Sequence, residues 1–491
     1  MPLSAQAPRT LDRAARGARG LCGLLPATGC TDPNSPIGRA GWRRPLAVLA
    51  LLGLVAASSG AQAQSLQVLY GVARGYDATF LAARLQADAA GHKVSQAEAL
   101  KRPTVNATAG VTANRSETPW STVTQTNTLQ GTVGVSAQYT IYNRSNDKTI
   151  AQAQLGLAVA QAQLQGAEHE LAMRVTQAYF DVLAAADALA TVRVSKQAIA
   201  EQVASAKKNF EVGTVTITDT REAEARFDLA RAQELAAEND LNTARVALEQ
   251  LVGRQNLTPR PLAKPASLPA LEPGDVEAWV RLADENNPAL KQLRLARELA
   301  RLETEKAQAA GSPTVALTAA LQLVQNRTEG RSKASDGSSL AYGPNSGLGP
   351  NASVGVQVAM PLYTGGAVQQ RVKETVVLEQ KSEAELEAAR RTVGQTTRIA
   401  FYSVRSLIAR VAALEAAESS SALALEATQL GYQVGVRVNL DVLNAQTQLF
   451  QAQRDLARAR YDVLVNLLKL KQAAGVLQHR DLAAVSTLLS S

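Results

Sequence analysis

From residue 146 to residue 209 apolar side chains return every seven positions, and only Gly156 and Gly166 interrupt the helical pattern. One seam runs Leu171, Ala178, Ala185, Val192, Ile199, Ala206, and its companion Val175, Val182, Leu189, Lys196, Val203, Phe210. A sustained heptad predicts a left-handed supercoil, and a helix over 145–209 would be roughly 95 Å long at the standard rise per residue. A second such helix is predicted over 366–431, with Val404, Leu407, Val411, Leu414 and Leu425 in its seam. Abundant alanine on the flanks would let each helix pack on two sides, as in a closed ring of helices; a two-stranded coiled coil accounts for the seam equally well.

Each long helix ends in the same way. Phe210-Glu211-Val212-Gly213-Thr214 through Asp219 matches Tyr432-Gln433-Val434-Gly435-Val436 through Asp441, with one constant offset. A glycine turn stops the heptads and a second helix begins, over 219–252 in one copy and 439–474 in the other. Asp219-Thr220-Arg221-Glu222 resembles a capping box, and Asn439 is a suitable cap for the twin. The correspondence extends further: Pro103-Thr104-Val105 matches Pro313-Thr314-Val315, and Val133-Gly134-Val135 matches Val354-Gly355-Val356. The chain is therefore a tandem duplication. Repeat one covers 64–275 and closes with a proline-rich linker over 254–275; repeat two covers 276–491, opens with helices over 276–310 and closes with a C-terminal segment. The copies differ mainly in a Gly-, Ser- and Pro-rich stretch from Asn326 to Asn351, which reads as a loop.

Between the helices the period changes to two. Strands are predicted over 103–115, 128–142, 313–326 and 352–363, with Val105, Ala107, Ala109, Val111 and Ala113 on one face and Thr104, Asn106, Thr108 and Thr112 on the other. Such runs suit transmembrane β-barrel strands, apolar toward lipid and polar toward a wet lumen, with Tyr139, Tyr142 and Tyr363 as interfacial aromatics. A soluble antiparallel sheet with one buried face gives the same alternation. Four strands cannot close a barrel and open edges are not tolerated in lipid, so a membrane barrel would be shared by several protomers.

Composition changes this picture at the N-terminus. Residues 42–64 read as a secretory signal peptide: Arg43 and Arg44, an apolar run from Leu46 to Ala57, then Ala61-Gln62-Ala63. The apolar run is too short for a spanning helix. A leader over 1–63 would remove seven arginines, two aspartates and both cysteines, Cys22 and Cys30, and would bring the formal net charge of +8 close to neutral. Nucleic-acid binding then loses its support, and so do disulfide and thiol chemistry. His92, His169 and His479 lie far apart and read as solvated helix residues, with no metal-ligand spacing. No nucleophile elbow, phosphate loop or dinucleotide fingerprint is present. The residues give no basis for an enzyme or a cofactor.

The duplicated order of helix and strand, Ala178-Tyr179-Phe180-Asp181-Val182-Leu183, Met360-Pro361-Leu362-Tyr363-Thr364-Gly365-Gly366, and Gly431-Tyr432-Gln433-Val434-Gly435 followed by Asp441-Val442-Leu443 together resemble the TolC family of Gram-negative outer-membrane export ducts. The resemblance covers about residues 65–490. It implies a mixed α/β membrane protein: a homotrimer whose twelve-stranded transmembrane β-barrel, four strands per protomer, continues into a long periplasmic α-helical barrel of coiled-coil hairpins. It also implies a periplasmic membrane-fusion adaptor and an inner-membrane transporter, of ABC or RND type, as partners, with outer-membrane lipid around the barrel. In this family the tapered helical tip is the gate. By position, Tyr432 and Arg437 would be latch residues with Thr218 and Asp219 as partners, and Asp441 would line the aperture as a ring of three carboxylates. The second acidic position of the family is Asn444 here, so about half the fixed negative charge is expected, which weakens the case for a divalent-cation plug. Val212, Gly213, Thr214, Val434, Gly435 and Val436 would form the adaptor-docking tips. A periplasmic adaptor or a trimeric coiled-coil surface protein without a channel is the alternative that long hairpins also allow.

Overall fold

The computed structural model describes residues 64–118, 120–263 and 269–489. The leader expected over 1–63, with both cysteines, lies outside the described residues. A short helical pair opens each repeat. In the first, α1 (Leu66–Tyr76) and α2 (Ala78–Glu98) meet at Asp77, which ends one helix and caps the next by accepting the Phe80 N–H. In the second, α5 (Val276–Asn286) and α6 (Pro288–Ala309) meet at Asn287, the duplicated position, which caps α6 through Ala289 and Leu290 with Pro288 in the first turn. Proline fits there because its missing N–H would have had no helical partner.

The strands β1 (Thr104–Glu117), β2 (Val123–Tyr142), β3 (Thr314–Lys333) and β4 (Ser339–Ala359) form one antiparallel sheet in the order β1-β2-β3-β4. The two repeats are thus joined through β2 and β3, and β1 and β4 are its edges. Register places Val105, Ala137, Ala319 and Val354 in one row across all four strands, followed by Ala107, Val135, Leu321 and Ala352, then Ala109, Val133, Leu323 and Pro350. The rows on this face run from Val315 and Val358 up to Val111, Gly131, Gln325 and Leu348, apolar except for Gln325 in the last. About five steps of two residues, with strands tilted near 40°, give a band roughly 26 Å tall, the thickness an outer-membrane barrel presents to lipid.

Among the described residues no helix covers this face. Val111 is 77% exposed and Val354 is 79% exposed within the protomer, whereas a soluble sheet of this composition would have buried that face. The stretch expected as a loop between Asn326 and Asn351 is instead mostly strand: β3 and β4 pair out to Lys333 and Ser339, around a turn closed by Ala334 N–H to Ser338 O. Main-chain pairing holds these residues extended despite a composition that reads as loop, and Gly343, at φ +91°, occupies a place where a Cβ would strike Thr328 O.

The long helices are α3 (Arg144–Glu211) and α7 (Ala367–Gln433), each returning as α4 (Ile217–Val252) and α8 (Asn439–Ala473); α9 (His479–Thr487) ends the described chain. Leu171, Val175, Ala178, Val182, Leu189, Ile199 and Ala206 are buried as the heptad requires, while Phe210, at the tip, is exposed. Lys196, the polar intrusion in the seam, is satisfied by an ion pair with Glu234 of α4.

The main core lies midway along the helices, where Leu66 and Leu69 of α1, Tyr179 and Phe180 of α3, Leu248 of α4, Leu464 and Leu468 of α8 and Leu482 of α9 pack together. The Tyr179 hydroxyl, fully inside, accepts the Arg260 N–H at 2.9 Å and lies 3.1 Å from the carbonyl oxygens of Gln64 and Arg260. One side chain of α3 thereby ties the residues just before α1 to the linker. His169 is not the solvated residue expected: it is 8% exposed, facing the Tyr70, Leu477 and Leu482 side of α3, and burial pushes its imidazole below the usual range.

Candidate gate at the paired hairpin tips

The two hairpin tips have one backbone. Gly213 and Gly435 take φ +77° and +78°, the left-handed region that an L side chain rarely adopts. Thr214 N–H closes onto Asn209 O in the first copy, and Val436 N–H onto Gly431 O in the second. Val212, Val434 and Val436 are each at least two-thirds exposed, and Gly213, Thr214 and Gly435 are exposed beside them. Apolar side chains held out at a turn are left without cover by their own chain.

The restart of the second helix differs between the copies and from expectation. Thr216, not Asp219, is the N-cap of α4; Asp219 is its third residue, accepting from Thr216 N–H at 2.9 Å and from the Thr216 hydroxyl at 2.8 Å while its own N–H donates to Thr216 Oγ1. This is a capping box shifted by three residues, because Thr and Asp satisfy it as well as Asp and Glu do. In the second copy Val438 is the cap and makes no side-chain bond, so Asn439 is already the first helical residue, 5% exposed, with its Oδ1 unpaired among the described residues.

Between the tips is a cleft of about 520 Å³ lined by Asn209, Asp219, Tyr432, Arg437 and Asn439, among others. Thr218 is exposed and is not among the cleft's lining residues. Within the protomer Tyr432 does not meet Asp219; its hydroxyl accepts the Asn209 amide at 3.2 Å. Arg437 has a local partner that its position in the turn did not suggest: Nη1 lies 3.5 Å from Asp441 Oδ2, one turn along α8. Asn444, a turn beyond Asp441, accepts from Arg226 of α4 at 3.3 Å. Asn209 and Arg226 were not singled out by the duplication, because neither has a like residue at the matching position of the other copy; the usable signal was an uncharged polar or basic side chain on the heptad flank facing the other hairpin.

Behind the tip the two helices of the first hairpin are held by charge. Glu224 of α4 lies 2.9 Å from Lys207 Nζ of α3 and takes Arg221 Nη1 at 2.9 Å; these hydrogen bonds, that from Lys207 foremost, hold its carboxyl below the usual range. The hairpins touch through Leu443 of α8, buried against Ile199, Ala206, Ala223 and Ala230 of α3 and α4. Groups of three or more side chains able to hold a metal ion are absent among the described residues. No helix among them is long and apolar enough to cross a membrane.

The arrangement has relatives. The family model for the outer membrane efflux protein matches residues 69–254 and 279–476, one segment in each repeat. The outer membrane protein TolC of Vibrio cholerae serotype O1 is 31% identical over 442 residues, covering 90% of this chain and 97% of the relative. The alkaline protease secretion protein AprF of Pseudomonas aeruginosa is 34% identical over 320 residues, 65% of this chain and 64% of that protein. The solved structure of the outer membrane protein VceC from Vibrio cholerae superposes with a TM-score of 0.68 at 21% identity, over 84% of this chain and 96% of that one, a likeness of fold. The chain belongs to the outer membrane efflux protein family, that of TolC, and is an outer-membrane exit duct whose helical part extends into the periplasm.

Proposed function

We propose that three copies of this chain form one conduit, with a twelve-stranded barrel in the outer membrane and a ring of helical hairpins whose six tips close its periplasmic end. One observation carries the reading: a four-stranded sheet whose apolar band is exposed and whose edges are β1 and β4 is continuous with two hairpins of nearly equal length. Such a sheet cannot exist in lipid unless its edges are paired by other copies. Threefold closure brings three Asp441 carboxylates around the axis at the narrowest point, with Asn444 uncharged one turn further on. Fixed negative charge there favours cations in the aperture.

The tips are the gate. Asn209, Asp219, Tyr432 and Arg437 share the cleft between the hairpins, so contacts made there hold the hairpins together and their loss lets α7 and α8 swing outward. Val212, Val434 and Val436, with Gly213, Thr214 and Gly435, dock a periplasmic adaptor, which couples the duct to an inner-membrane transporter. Cargo leaves through the lumen past Asn106, Thr108, Thr132 and Gln322, the polar face of the sheet. The likeness to the alkaline protease secretion protein AprF extends the cargo to secreted protein as well as small compounds.

The test is the mass of the detergent-solubilised protein by light scattering, followed by conductance in planar bilayers. Three chains per particle and a small, cation-selective conductance are expected. A monodisperse monomer would end the reading.

A further inference from the structure

The apolar band stops at the row of Ala113, Leu129 and Arg327. The next row on the same face is Arg115, Asn127 and Glu329, and the one after it Glu117, Gln125 and Arg331, with the pairing of β1, β2 and β3 unbroken throughout. The helices leave the sheet from its other end, so these rows lie at the rim that faces the exterior. All five charged side chains are exposed. Arg115 is held by Glu117, with Nη2 at 2.6 Å and Nε at 3.1 Å from one carboxylate oxygen. Arg327 and Arg331 form no ion pair among the described residues. A recess of about 400 Å³ opens on this face, lined by Ala113, Leu129, Arg115, Asn127, Arg327 and Glu329.

A guanidinium at the end of a hydrocarbon band is stable where its head reaches water or a headgroup. Phosphate oxygens lie at that depth, and a planar guanidinium takes them in pairs. Arg115 and Arg327 stand two strands and one row apart, a separation of roughly 12 Å between backbones, and both side chains border the same recess. Ala113 and Leu129 beside them continue downward into the lipid-facing band, where acyl chains lie. We propose that this recess binds the phosphorylated headgroup of an outer-leaflet lipid, with Arg115 and Arg327 on the phosphate and the acyl chains along β1, β2 and β3. Glu117 and Glu329 offset two of the three positive charges, so retention comes from hydrogen-bond geometry together with the chains rather than from a broad positive field. The inference rests on the barrel reading above and not on the gate.

The experiment titrates the detergent-purified protein with a synthetic bis-phosphorylated diglucosamine lipid and reads retention by native mass spectrometry. Arg115→Gln with Arg327→Gln should lower retention on the order of tenfold. Glu329→Gln, which removes the carboxylate opposing an anion, should raise it severalfold, and this gain keeps the test decisive if the double variant fails to assemble. The same lipid without phosphates should bind no better to wild type than to the double variant. Equal retention by wild type and an assembled double variant, or equal binding of both lipids, would overturn the proposal. Displacement of the lipid by millimolar inorganic phosphate would make this a free-phosphate site and would overturn the lipid assignment. Failure of the barrel itself would be seen separately, as loss of the oligomer and of bilayer conductance in wild type.

Discussion

Asn209 at the end of α3 donates its side-chain amide to the hydroxyl of Tyr432 at the end of α7, 3.2 Å away across the two hairpin tips. The duplicated position of Tyr432 is Phe210, which has no hydroxyl and is exposed. At this position, therefore, only the second copy carries a polar atom that joins the copies. Tyr432→Phe would make this position match Phe210 and remove one hydrogen bond worth about 1 kcal/mol. Single-channel conductance in planar bilayers should rise, with the mass of the oligomer unchanged. An unaltered conductance would take Tyr432 out of the gate.

Arg437 and Asp441 make a second test. Their contact is a single long i,i+4 pair from the connecting turn to the first turn of α8, 60% and 36% exposed, of a kind worth about 0.3–0.5 kcal/mol. Losing it alone would shift an open-to-closed ratio only about twofold. If Arg437 latches a neighbouring protomer as well, Arg437→Ser should open the channel severalfold more than Asp441→Asn, which removes the local partner but leaves the cation. Equal effects in bilayer recordings would confine Arg437 to its pairing with Asp441. Potassium-over-chloride selectivity separates the two variants further, because Asp441→Asn alone deletes the ring charge.

Much of the fold can be read from the residues because the chain states its design twice. The heptads from Leu171 to Ala206 place the long helix, and the offset from Asp219 to Asp441 places its twin. Strand alternation from Val105 to Ala113 gives a face, but not its height; the register across four strands aligns these faces into a band of membrane thickness. The extension of β3 and β4 beyond Asn326 is hidden because Gly, Ser and Pro mark loops when side chains decide, and here main-chain pairing decides. Helix caps are displaced for a different reason: Thr216 and Asp219 form the box in one register, Asp219 and Glu222 in another, and the sequence contains both. Contacts at the tip are the least legible, since Asn209 to Tyr432 joins residues whose spacing is fixed by how two hairpins pack.

Three polar atoms at the contact between the hairpins have no hydrogen-bond partner among the described residues: Thr220 Oγ1 of α4, and Asn439 Oδ1 and Gln446 Oε1 of α8. Their residues are all at least nine-tenths buried, on either side of Leu443, the apolar plug of that contact. The first copy has Ile217 where the second has Asn439. An unpaired buried polar group costs about 1–3 kcal/mol, so the closed contact is weaker than an apolar one of the same shape. Asn439→Leu and Gln446→Leu should therefore tighten the tip: amide exchange in the first turns of α8 should slow, and bilayer conductance should fall below that of wild type. Faster exchange in an intact oligomer would mean that these groups stabilise the closed contact.

Asp77 places an ionic dependence in the middle of the molecule. Its Oδ1 accepts the Phe80 N–H at 2.8 Å to cap α2, while Arg174 of α3 reaches both carboxylate oxygens at 3.0 Å. Burial alone would raise this carboxyl, but the Arg174 hydrogen bonds and the Phe80 N–H outweigh burial and hold it below the usual carboxylate range. With a folded value below the unfolded one of about 3.9, the pairing contributes fully above that pH and is lost as pH falls through the folded value. Asn287, at the duplicated position, caps α6 without charge, so Asp77→Asn should keep the cap and lose the pair. At neutral pH the variant should be less stable by about 1.5–3 kcal/mol, the range for hydrogen bonds to charged groups. Thermal dissociation of the oligomer, followed between pH 7 and pH 3, should drop more steeply for wild type than for Asp77→Asn, the two curves converging at the acid end. Parallel curves would mean that the carboxylate stays paired, or stays irrelevant, throughout that range, and the acid sensitivity would then have to come from another carboxylate such as Glu303, which Gln152 foremost and then Arg371 hold below its usual range.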